Sequence, residues 1–128
     1  MRIRFTLGTF FLAALFAASA AQAECTGSNG RGWGSGKGAG KFEMTAADKV
    51  CRISFPGFID DVRKTRTPAT EVVLTKAPSH GKLGIAPGEG LVYTPAQGFR
   101  GSDKFCTRNK APEISGKTLS GCITVTVR

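Results

Sequence analysis

Histidine, tryptophan and tyrosine each occur once in these 128 residues, as His80, Trp33 and Tyr93. A single histidine leaves little for imidazole-based catalysis, and its neighbour Ser79 does not complete a triad, because adjacent residues in a turn do not face one another. No C-x-x-C occurs, which excludes the close, low-pKa cysteine pair of a thiol oxidoreductase. The acids number nine and are scattered along the chain, three of them (Asp48, Glu89 and Asp103) directly beside lysine or glycine, so two buried carboxylates facing across a cleft are not expected. Beyond residue 18 no apolar run approaches the ~20 residues of a spanning helix. The chain is also too short for two ordinary cores, so one domain is expected. These absences argue against an enzyme, a metal site and a cofactor; a small secreted hydrolase or inhibitor stays only as an alternative.

The chain begins MRIRFTLGTFFLAALFAASAAQA. Arg2 and Arg4 form a positive start, Phe5 to Ala18 is almost entirely apolar, and Ala21-Gln22-Ala23 has small residues at a cleavage site, with Ala18-Ser19-Ala20 as a second candidate. This three-part pattern predicts a secretory signal peptide over 1–23. Glu24 precedes Cys25, where lipid attachment would need a small residue, so a free protein of the periplasm or medium is expected. Removing the leader leaves 16 basic residues against 9 acids, a net charge of +7 over 105 residues.

Residues 24–41 read ECTGSNGRGWGSGKGAGK, with glycine at seven of eighteen positions. Such a stretch buries too little to offset its backbone entropy, so a flexible arm is expected. It is not a phosphate loop. Ser35 stands where the Walker pattern needs its first glycine, Phe42 follows Lys41 where Ser or Thr is required, and no G-x-G-x-x-G occurs. Trp33 inside the arm can stack on a sugar or lipid, or pin the arm to the domain.

From 42 to 128 the pattern is that of strands. Val50 to Phe55 alternates, with Cys51, Ile53 and Phe55 on one face; Thr70 to Lys76, Lys82 to Ile85, Leu91 to Tyr93, Lys104 to Arg108 and Leu119 to Arg128 follow, separated by turns such as Pro78-Ser79-His80-Gly81. Only Phe58 to Arg66 has the spacing of a helical turn. About seven short strands, with turns roughly every eight to twelve residues, describe an all-β sandwich over 42–128.

Within 77–127 stand Pro78, Gly81 and Leu83, then Tyr93 and Pro95, then Gly98, Phe99, Gly101, Asp103 and Phe105, and finally the alternating Ile123 to Val127. This closely resembles the bacterial immunoglobulin-like, cadherin-like repeats of secreted and surface proteins. The resemblance implies an immunoglobulin-like sandwich and a non-catalytic binding or adhesion role. Thr107 replaces the family's usual aromatic, and one copy stands where an array is usual. The acidic calcium loop of many relatives is missing, and Asp60-Asp61 alone is a poor substitute. Asp103 is placed to accept backbone N–H bonds at the start of its strand.

Four cysteines in an exported chain read as two disulfides. If Phe105, Ile123, Val125 and Val127 point inward, Cys106 and Cys122 point outward on adjacent strands and can meet. Cys25 and Cys51 are then left to each other. The alternative is an inter-sheet bridge between Cys51 and Cys106.

The same alternation puts Lys104 and Arg108 on one outward face, with Arg100 before them and Lys110 after. Arg63, Lys64 and Arg66 form a second basic cluster, and Arg31, Lys37 and Lys41 lie in the arm. The expected partner is an envelope protein, reached by edge-strand pairing, or an acidic polymer such as lipopolysaccharide, polysaccharide or extracellular nucleic acid. With one Trp and one Tyr, base stacking and specific nucleic-acid recognition are not expected.

Overall fold

The computed structural model describes residues 25–128, and the leader expected over 1–23 lies outside them. Ten strands follow in order: β1 (Thr26–Ser28), β2 (Gly38–Met44), β3 (Cys51–Ile53), β4 (Gly57–Asp60), β5 (Thr65–Pro68), β6 (Glu71–Lys76), β7 (Gly81–Ala86), β8 (Gly90–Pro95), β9 (Gly101–Ala111) and β10 (Ile114–Val127). They form a five-stranded sheet in the order β1-β2-β10-β9-β6, a three-stranded sheet β3-β8-β7, and a separate β4-β5 hairpin. The fold is an all-β sandwich, with ten strands where about seven were expected.

Its core follows from the alternation. Phe105, Ile123, Val125 and Val127 of the larger sheet are buried, as are Cys51, Ile53, Leu91 and Tyr93 of the smaller one. Together they form one hydrophobic cluster. Tyr93 and Phe105 meet across it with ring centroids 6.1 Å apart. Burying side chains of this size supplies the main favourable term, on the order of 1.5–3 kcal/mol each.

The glycine-rich stretch is not a free arm. Residues 26–28 pair with β2, and β2 runs parallel to β10 in continuous register from Gly38↔Gly121 to Met44↔Val127. Burial alternates strictly along β2, with Gly38, Gly40, Phe42 and Met44 inward. Glycine here serves close approach. Trp33 lies against Gly38, where a Cβ would collide with the indole, and a Cβ on Gly121 would collide with the Gly38 backbone. The domain therefore includes residues from Cys25 on, rather than starting at 42. Gly121→Ala is expected to lower stability by about 1–3 kcal/mol through overpacking. Gly84→Ala on β7, where a Cβ would meet only the Val92 carbonyl oxygen at an unstrained 3.9 Å, is the control and should change it by less than about 0.5 kcal/mol. Urea midpoints of the two variants check this.

Residues 58–66, expected as a helical turn, form most of the β4-β5 hairpin, with Phe58 opposite Thr67 and Ile59 opposite Arg66. Its turn is held by Asp60, whose carboxylate accepts from the backbone N–H of Val62 at 3.0 Å and of Arg63 at 3.1 Å. Lys64 closes the turn with φ 52°.

Both expected disulfides are present, Cys25–Cys51 and Cys106–Cys122, and the Cys51–Cys106 alternative is not formed. The outward pairing follows the register, in which Cys106 stands directly opposite Cys122 while Phe105 stands opposite Ile123.

Candidate functional site

The ladder registers assemble the outer face of the five-stranded sheet. On β9 the buried residues Phe105, Thr107 and Asn109 alternate with exposed Lys104, Arg108 and Lys110. Thr124 of β10 pairs with Lys104 on one side and Lys41 of β2 on the other. The two lysines therefore stand two strand spacings apart, roughly 10 Å. On the opposite flank, Lys76 of β6 pairs with Cys106, and Val73 with Arg108. Five cations from three strands, Lys41, Lys76, Lys104, Arg108 and Lys110, thus surround the Cys106–Cys122 bridge.

Few acids neutralise this face. Glu43 is engaged by Arg128 at 3.0 Å, and Arg52–Glu89 is the other salt bridge among the described residues, so none of the five cations is in one. Glu71 stands opposite Lys110 in the register. The Thr and Ser residues between the cations, Thr124, Thr126 and Ser120, are half-buried. Ser102 and Thr126 hydroxyls lie 3.3 Å apart across the ladder. Val73 apart, such a surface is polar, and its long side chains are free to follow an extended anionic ligand.

The second basic cluster lies elsewhere. Arg63 and Lys64 occupy the hairpin turn, and Arg66 lies on β5. Arg66 is partly committed to structure, since its guanidinium donates to the Phe55 carbonyl oxygen and covers Gly57. Among the described residues the hairpin pairs with no strand of the larger sheet, so Arg63, Lys64 and Arg66 stand outside the ladder registers that assemble the β9 face. A groove between the hairpin and residues 27–33 is lined by Asn29, Arg31 and Arg66, and the Asn29 side-chain oxygen has no hydrogen-bond partner among the described residues.

Trp33 is not a ligand platform. It is 6% exposed, and its indole N–H donates to the Asn29 carbonyl at 2.6 Å, which fits the pinning role and removes it from the candidate surface.

The motif residues between β6 and β9 are fastened together. Asp103 is 3% exposed, and its carboxylate accepts from the backbone N–H of Ser79 at 2.9 Å, of His80 at 3.0 Å and of Lys104 at 3.0 Å. It also accepts from the Tyr93 hydroxyl at 2.7 Å. The N–H of Lys104 was foreseeable from strand-start chemistry, whereas the donors from the 77–80 turn and Tyr93 were not. Burial, reinforced by the bond to Asp103 and by its charge, pushes the Tyr93 phenol well above its usual value. The His80 ring stacks on Phe99, centroids 4.4 Å apart and nearly parallel. A second network, missed from sequence, joins buried Thr107 to Asn109 at 2.7 Å and Asn109 to the Ala69 carbonyl at 3.3 Å. All these groups serve the turn and the core.

Among the described residues, no three or more His, Cys, Asp and Glu side chains converge as metal ligands. Asp60, half of the acidic pair weighed for calcium, caps the hairpin turn instead. No helix among them is long and apolar enough to cross a membrane. Compared with family models, with curated proteins and with solved structures, the chain finds no match in any of the three.

Proposed function

We propose that the protein is an exported, non-catalytic binding or adhesion module of the bacterial envelope, immunoglobulin-like in fold. In this reading the outer face of its five-stranded sheet does the binding. The single observation that carries it is the convergence of Lys41, Lys76, Lys104, Arg108 and Lys110 on one face with no salt bridge to any of them among the described residues. Export is supported by the leader pattern of 1–23 and by two disulfides, which persist in oxidising compartments.

That same observation favours an acidic polymer over a protein as the partner. An extended polyanion can contact all five cations at once and release its condensed counterions on binding. Affinity for a soluble acidic polysaccharide such as heparin is then expected to fall on the order of 10²-fold between 50 and 200 mM salt, the dependence of about four neutralised charges. The double variant Lys104→Ala/Arg108→Ala should flatten that salt slope by about two charges, while Arg63→Ala leaves it unchanged. Titration calorimetry at several salt concentrations reads both. Repeating the titration with purified lipopolysaccharide and with duplex DNA sorts the source of the polyanion. Salt-independent binding, or a double variant that binds as tightly as the native chain, ends this reading.

A further inference from the structure

β6 is one edge of the five-stranded sheet and pairs only with β9. It reads Glu71-Val72-Val73-Leu74-Thr75-Lys76, with opposite charges at its ends and three aliphatics in the middle. Val73 is 60% exposed and Leu74 42%. Edge strands are normally blunted by a charge or proline in mid-strand. Here the middle is apolar and, among the described residues, its outer backbone edge has no partner strand.

The register on β9 assigns the faces. Glu71 and Val73 lie on the outer face, opposite Lys110 and Arg108, and Val72 and Leu74 lie on the inner face, opposite Asn109 and Thr107. The irregularity between Leu74 and Lys76 returns Lys76 to the outer face, opposite Cys106. Glu71 and Lys76 therefore bracket the strand on the same face.

Such a segment is complementary to itself read backwards. Two antiparallel β6 strands related by a two-fold axis perpendicular to the sheet keep outer face with outer face, so only registers that align like faces are allowed. The register centred on Val73 meets that condition. Val73 meets Val73 of the second copy, Val72 meets Leu74 on the inner face, and Glu71 of each copy stands opposite Thr75 of the other, where the irregularity at Thr75 brings the next residue, Lys76, onto the same face within reach of it, an opposite-charge contact at both ends.

We propose that β6 is a self-association edge, through which two copies of this chain pair antiparallel and join their sheets into one of ten strands. A six-residue strand pair buries less than the ~1,200 Å² where stable interfaces begin. The dimer is accordingly weak, with Kd on the order of 0.1 mM.

Sedimentation velocity of the oxidised protein from 10 µM to 1 mM is the test. A concentration-dependent monomer–dimer equilibrium is expected, abolished by Val73→Lys, which sets like charges together on the two-fold axis. Because Val73 is exposed in the monomer, this variant should keep the native circular dichroism. Glu71→Lys and Lys76→Glu should each weaken the dimer about 5-fold or more, and the double swap should restore it. That restoration cannot come from a general effect on folding. A monomer at 1 mM, a dimer indifferent to Val73→Lys, or a double swap as weak as its parents would each overturn the proposal.

Discussion

Asp103→Ala is expected to lower the stability of the folded protein by about 3–5 kcal/mol, the cost of removing a buried charge that four donors share. The substitution strands the N–H groups of Ser79 and His80 and the hydroxyl of buried Tyr93. With small domains stable by only 5–15 kcal/mol, this approaches a third or more of the total. Tyr93→Phe removes one donor and leaves the carboxylate its backbone partners, so about 1–1.5 kcal/mol is expected. Denaturant midpoints rank the two.

Tyr93 also sets an alkaline limit. It is the only tyrosine, so phenolate absorbance reports it alone. In the unfolded chain the phenol titrates near pH 10, whereas in the native state burial and Asp103 hold its proton to higher pH. The folded pKa is raised, so the contribution is complete below pH 10 and is lost as pH rises toward the native value. Each pH unit in that window removes up to about 1.4 kcal/mol. Phenolate absorbance is expected to stay flat through pH 10 and then rise together with unfolding, and Tyr93→Phe should flatten the alkaline limb. A phenol titrating near pH 10 in the folded protein would refute the account.

The second large effect concerns the Cys25–Cys51 staple. Its cysteines are 26 residues apart, and the bond ties the start of the larger sheet's edge to β3 of the smaller sheet. Constraining a loop of that length in the unfolded chain is worth about 3.5 kcal/mol by chain entropy. Cys51 is fully buried, so the Cys25→Ala/Cys51→Ala variant also loses packed sulfur. The Cys106–Cys122 bond closes a shorter loop, 16 apart, between strands that are already neighbours. Its loss should cost less, about 3 kcal/mol or below. Thermal melts of the two double-alanine variants are expected to place the Cys25/Cys51 protein lower.

Local alternation made much of this architecture readable. β6 to β10 and the Cys51-Ile53-Phe55 face follow from period-two patterns, and the inward Phe105 beside outward Cys106 led to the right disulfides. The glycine-rich segment did not yield to the same reading. Glycine content registers as chain entropy, while the reason for Gly38 and Gly121 is a backbone contact that only the folded sheet contains. The alternation of Lys41, Phe42, Glu43 and Met44 was the one local signal for β2, and four residues beside so much glycine are a weak one. The β4-β5 hairpin was hidden because Phe58, Ile59 and Val62 have helix-like spacing, and because its turn uses Lys64 at positive φ rather than glycine.

The candidate face divides along the same line. Lys104 and Arg108 share a strand, so two-residue alternation placed them together. Lys41 and Lys76 reach that face only through the pairing of β2 with β10 and of β6 with β9, which is topology and leaves no mark in the local sequence.

The parallel pairing of β2 with β10 also governs when the molecule can finish folding. Gly38 waits for Gly121 and Met44 for Val127, partners more than eighty positions apart. Closing so long a loop precedes any reward from the contacts, which places the protein among slow folders of high contact order. During synthesis β2 must stay unpaired on this side until β10 has left the ribosome. Until β10 emerges, the larger sheet stays open between β2 and β9.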